Sequence, residues 1–171
     1  MFHNWDSFYL LIGSAAGALL GLMFVVATLT AGIESSEVSR GAQVYITPIV
    51  FHFAVVVFVS VVSAVPGIPA PAVGVLLAVC AASGFAYCIA TTIRICGPGW
   101  QSTPHWSDKW FYGIVPAIVY IGLAVAALSA VWRTPDRAAY GIGAVMVALL
   151  LIGIRNAWDL ATFIVQRTRR P

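Results

Sequence analysis

A helix needs about 20 mostly apolar residues to cross the hydrocarbon core of a bilayer. Five segments of this chain meet that length: Phe8–Gly32, Ala42–Val65, Ala70–Ile95, Trp110–Trp132 and Ala138–Val165. Polar or proline-rich breaks separate them, namely GIESSEVSRG, PGIPAP, GPGWQSTPHWSDK and RTPDR. None of the five alternates with period two, which excludes a transmembrane β-barrel. Only 9% of the 171 residues are charged and 61% are hydrophobic. A soluble domain carries about 25% charged residues, so this chain has too few for an ordinary wet surface. The expectation is an all-α integral membrane protein, a five-transmembrane-helix bundle forming a single transmembrane domain over residues 1–171, with the lipid bilayer as its surroundings.

The opening MFHNWDS lacks the basic start of a signal peptide, and the first apolar run is long enough to stay as a span. Lys and Arg set the orientation. Arg40, Arg94, Lys109, Arg167, Arg169 and Arg170 fall on one side of the five spans, and Arg133 and Arg137 on the other. The bias predicts an outer N-terminus and a cytoplasmic C-terminus. Trp5 and Trp132 then mark the outer boundary, and Trp100, Trp106, Trp110 and Trp158 the inner one. The formal charge of +3 is spread over loops and the C-terminal tail. It is a topology signal and no footprint for nucleic acid. Cys80, Cys88 and Cys96 fall on one helix, the first two about 12 Å apart along its axis, too far to bridge. They read as small packing residues, and their spacing is not that of metal ligands.

In the first span, GSAAGALLG places Gly13, Gly17 and Gly21 four residues apart. A glycine inside a helix costs about 1 kcal/mol relative to alanine. Steps of four drift by only about 40°, so the three form a shallow groove that Thr28 and Gly32 continue. Little hydrophobic force joins helices in lipid, and small residues let backbones touch instead. Two readings of this glycine zipper stand. The groove receives another helix of the same chain, or it packs against a neighbouring subunit and builds a homo-oligomer.

Ionisable groups inside a span are costly and are functional candidates by default. The fifth span reads GIRNAWDLATFIVQ, where Asn156, Asp159, Thr162 and Gln166 lie about 100°, 40°, −20° and 20° round from Arg155. Arg155 and Asp159 are an i,i+4 pair in the weaker order. Asp159 also lies toward its helix C-terminus, where the dipole disfavours an anion, which predicts a second donor from another helix. On the second span Tyr45, His52 and Ser63 share a face, with Pro48 nearby. On the third, Cys80, Ser83, Tyr87, Thr91 and Arg94 form a stripe, and the fourth contributes Tyr120. His52, Tyr87, Tyr120 and Arg155 all fall about 15 Å from the cytoplasmic ends of their spans, which places them together near mid-membrane. Such a set either clamps the bundle by hydrogen bonds or lines a path for an ion or small solute. Haem fits poorly, since His52 is the only histidine deep in a span, and no cofactor is expected.

The sequence holds no nucleophile elbow, P-loop, dinucleotide fingerprint or H-E-x-x-H. Glu34 and Glu37 are explained as well by a solvated loop as by a catalytic pair. A non-enzymatic role is therefore expected. The stretches WDSFYLLIGSAAGALLGLMFV and IGIRNAWDLATF resemble a loose group of small bacterial multi-pass membrane proteins of unknown function. The resemblance covers the first and last spans and implies a place in the bacterial inner membrane. It implies no activity.

Together these features predict a small oligomeric membrane protein forming a polar pathway, a channel or carrier for an ion or small solute. His52, Tyr87, Tyr120, Arg155, Asn156 and Asp159 would line or gate it, and Gly13, Gly17, Gly21 and Thr28 would pack helices or subunits. The alternative is a non-catalytic subunit or regulator of a larger membrane complex, bound to a membrane-protein partner.

Overall fold

Each apolar run folds as a helix because, in lipid, a segment must satisfy its own backbone N–H and C=O groups. The computed structural model describes residues 5–31, 36–96, 106–132 and 135–168. In chain order they form α1 (Asp6–Ala31), α2 (Ser36–Ala64), α3 (Ala70–Cys96), the single turn α4 (Trp106–Lys109), a π-helical segment (Trp110–Ile114), α5 (Val115–Val131) and α6 (Pro135–Thr168). No strand occurs among the described residues. Five stretches are long and apolar enough to cross a membrane: Asp6–Leu29, Tyr45–Ala64, Ala70–Cys96, Trp110–Val131 and Arg137–Thr162. The chain is thus an all-helical five-helix bundle, with the architecture of a multi-pass membrane protein.

The helices overrun the apolar segments where no residue stops them. The expected turn GIESSEVSRG is already helical from Ser36, since this stretch contains no proline. Likewise α6 begins inside RTPDR, with Pro135 at a first-turn position where its missing N–H costs nothing. The last four residues of the expected long loop form α4. Between α2 and α3, the chain turns through Gly67 at φ 76, a left-handed conformation that favours glycine. Gly32, Glu34, His3, Trp100, His105 and Arg133 lie outside the described residues, as do the side chains of Glu37, Arg40, Trp106 and Gln166.

Helix neighbours run in the order α1, α2, α6, α5, α3, with a lighter contact between α2 and α3. Close approaches depend on glycine, as expected where packing replaces hydrophobic drive. A Cβ on Gly153 of α6 would lie 2.5 Å from the Phe53 ring of α2, and one on Gly74 of α3 would lie 2.7 Å from the Ala127 carbonyl of α5. At one end of the bundle Trp5 packs edge-on against Tyr140, with ring centroids 4.9 Å apart, and ties the start of α1 to α6. Along the rest of its length α1 is peripheral. Only 11% of its most apolar stretch is buried, against 56% for that of α2.

The glycine groove divides accordingly. Gly13 meets α2, where a Cβ would come within 2.7 Å of Ser60. Gly17 and Gly21 are exposed and have nothing within 4 Å of a Cβ position. Thr28 is exposed too, and its hydroxyl donates to the Phe24 and Val25 carbonyls of its own helix at 2.9 and 2.8 Å.

Candidate functional site

The polar side chains inside the bundle gather at two levels. Tyr45 of α2 meets Tyr112 edge-on, with ring centroids 4.9 Å apart. Further along the same two helices, His52 Nδ1 lies 2.9 Å from the Tyr120 hydroxyl. Eight residues separate Tyr112 from Tyr120, so the levels are about 12 Å apart. Arg155, Asn156 and Asp159 belong to the Tyr112 level. His52, Tyr120 and Tyr87 belong to the other. The single mid-membrane level expected from residue counting is thus two, because Arg155 and Asn156 meet Phe111 and Tyr112 at the start of the fourth span and not Tyr120 farther along it.

The level near the end of α6 is a clamp whose cause is Pro116. The Val115 N–H bonds the Trp110 carbonyl, a step of five residues that defines the π turn. In the same register residue 116 would donate to the Phe111 carbonyl, but proline has no N–H. Asn156 of α6 supplies the missing donor, its Nδ2 reaching Phe111 O at 3.0 Å. The Tyr112 hydroxyl returns the contact by donating to the Asn156 backbone carbonyl at 3.1 Å. Arg155 completes the set. Its Nη1 donates to Asn156 Oδ1 at 3.1 Å, its Nη2 pairs with Asp159 Oδ2 at 3.0 Å, and its guanidinium lies over the Phe111 ring, 3.7 Å from the centroid. Asn156 is fully buried, with donor and acceptor both engaged within the protein.

Among the described residues, no second donor from another helix reaches the Asp159 carboxylate, contrary to the dipole argument. At 42% side-chain exposure near the end of its span, the carboxylate meets the surroundings of the bundle and needs no interior partner. Thr162 donates to the Asp159 backbone carbonyl at 2.9 Å and so engages the helix and not the carboxylate.

The His52 level is built by three helices. Tyr120 of α5 seats its ring directly on Gly84 of α3, where any Cβ would collide with it. Phe51 of α2 stacks on Tyr87 of α3, with centroids 4.2 Å apart and planes inclined by 22°. These contacts fix α2 so that the adjacent His52 points inward, where it is fully buried. His52 Nε2 has no hydrogen-bond partner within the protein. Counting protons assigns the tautomer. If Nδ1–H donated to Tyr120, the Nε2 lone pair and the phenolic proton would both lack partners. If Tyr120 donates to Nδ1, only the Nε2–H does, so the second arrangement is favoured. His52 therefore presents a buried donor into the bundle interior.

The third-span stripe is only partly internal. Thr91 is buried, Arg94 is exposed, and the exposed Ser83 bonds the Val79 and Cys80 carbonyls of its own helix. Sequence reasoning passed over Phe111 and Tyr112, whose roles follow from the backbone. The available signal was Pro116 inside an apolar run, which announces a carbonyl in need of an outside donor. No family model, no curated protein and no solved structure matches this chain.

Proposed function

We propose that this protein forms a polar pathway across a bacterial inner membrane, as a channel or carrier for an ion or small solute, with its N-terminus outside and its C-terminus in the cytoplasm. The observation that carries this reading is His52, a fully buried histidine in the middle of a span whose Nε2 is unpartnered within the protein. A purely structural clamp spends its bonds internally, as Asn156 does. A station for something passing leaves one bond open, and intramembrane polar groups of this kind mark solute and ion routes. On this reading Arg155, Asn156 and Asp159 hold the pathway's end in shape, and His52 and Tyr120 face the passing species.

Reconstitution tests the proposal. Liposomes carrying the purified chain should pass at least one small ion or polar solute faster than protein-free controls, and His52→Phe should reduce that flux at least tenfold. Absence of flux above controls across several ions, neutral solutes and pH values overturns it.

One observation favours a second reading, a non-catalytic subunit of a larger membrane complex. The Gly17 and Gly21 face is open on the least buried helix, which suits a contact with another chain. In the pathway reading the second chain is another copy, and the protein is a homo-oligomer. Purification from native membranes separates the two: a stoichiometric foreign partner favours the subunit, and a pure homo-oligomer favours the pathway.

A further inference from the structure

Asp159 is an acidic residue on a membrane-spanning helix with one oxygen engaged and one open. Its Oδ2 pairs with Arg155 Nη2 at 3.0 Å, and no described residue donates to Oδ1. Arg155 has five N–H donors. Among the described residues it spends one on Asp159 and one on Asn156 Oδ1. Spare donors on the cation thus stand beside a spare acceptor on the anion, and both side chains are partly exposed, by 32% and 42%. We propose that this pair seats the headgroup of a bound phosphatidylethanolamine, with the phosphate on Arg155 and the ammonium on Asp159.

The depth suits a headgroup. The α6 span, Arg137–Thr162, has 26 residues and is about 39 Å long, against about 30 Å of hydrocarbon. Its last turn therefore reaches the headgroup layer, and Asp159 belongs to that turn. Arg155 starts one turn deeper but carries its guanidinium to Asp159, as long cationic side chains do near a membrane boundary. Exposed tryptophans adjoin the site in sequence, Trp158 beside Asp159 and Trp110 beside Phe111, and such rings favour the interface. Toward the bilayer centre the surface is apolar. Leu151, one turn before Arg155, is exposed, and so are Ile114 and Ile118 beyond Phe111. Acyl chains can lie along these side chains while the pair holds the headgroup.

The charges select the lipid. The pair is neutral as a whole, so an anionic headgroup attracted by Arg155 is repelled by the adjacent Asp159. A phosphoethanolamine headgroup carries both signs, joined by an ethylene bridge, and meets each with its opposite. Its primary ammonium also donates hydrogen bonds, which Asp159 Oδ1 can accept, whereas a choline headgroup has the charge without the donors. A charge facing lipid is costly without such a partner.

Native mass spectrometry of the full chain tests the seat, with micelles doped with phosphatidylethanolamine, phosphatidylcholine or phosphatidylglycerol of identical acyl chains. The chain should retain one phosphatidylethanolamine about tenfold more than either other lipid, a ratio within reach of one charge-assisted hydrogen bond. Asp159→Asn keeps the side chain's size, removes its charge and should abolish the preference over phosphatidylcholine. Arg94→Gln removes another exposed cation and should leave that preference intact. The comparison among lipids needs no variant, so it stands even where a variant misfolds. Equal retention of the three lipids or a preference for phosphatidylglycerol overturns the inference. So does a preference that survives Asp159→Asn or is lost in Arg94→Gln. Displacement by soluble phosphoethanolamine at the same concentration overturns it too, because the acyl chains would then take no part.

Discussion

At the scale of single residues, the decisive contrast is between Asn156 and His52, both fully buried and both polar. Asn156 repairs a backbone fault that Pro116 creates forty residues away in sequence but one hydrogen bond away in space. Asn156→Ala should therefore leave the Phe111 carbonyl buried without a donor, at a cost of about 1–3 kcal/mol measured by unfolding in detergent. Pro116→Ala returns an N–H to α5, so the double variant should be destabilised by less than the sum of the singles. Additivity within about 0.5 kcal/mol would show that the two sites do not communicate. The importance of Asn156 was legible in the sequence as an intramembrane polar residue, but its role was not. Periodicity locates a side chain on a helix face, whereas this role depends on a π turn in another helix. The same limit merged the Arg155 and His52 levels, because residue counts from span ends assume that the ends of all five spans lie at one height.

Among elements, the five helices were readable from apolar length alone, since lipid permits no other way to satisfy a backbone. Their neighbours were not readable, because an apolar helix surface looks alike toward lipid and toward protein. The glycine groove of α1 illustrates the point. Three glycines at one spacing suggested one surface, yet Gly13 packs on Ser60 while Gly17 faces outward. Alanine at the two positions should have opposite effects. Gly13→Ala must displace Ser60 or α1 itself and should cost about 1–3 kcal/mol of stability, as overpacking does. Gly17→Ala meets nothing within the chain and gains helix propensity of up to about 1 kcal/mol, so unfolding of the monomer should be unchanged or harder. Loss of stability at Gly17 equal to that at Gly13 would contradict the arrangement of α1 on α2.

For the whole molecule, the remaining question is which way the bundle faces, and its cysteines answer it without foreign reporters. Cys80 and Cys88 are buried within the bundle, while Cys96 is exposed at the last residue of α3. That residue lies at the same end as Arg94 and the start of the π segment, the side to which the Lys and Arg bias assigns the cytoplasm. A membrane-impermeant thiol reagent added to intact cells should therefore leave the protein unlabelled. After permeabilisation it should modify one thiol per chain, lost in Cys96→Ser, with Cys80 and Cys88 reacting only on denaturation. Labelling of Cys96 in intact cells would reverse the orientation. It would place the Arg155 clamp on the outer side and the Trp5–Tyr140 contact on the inner one, while leaving the two polar levels and their spacing along α2 and α5 unchanged.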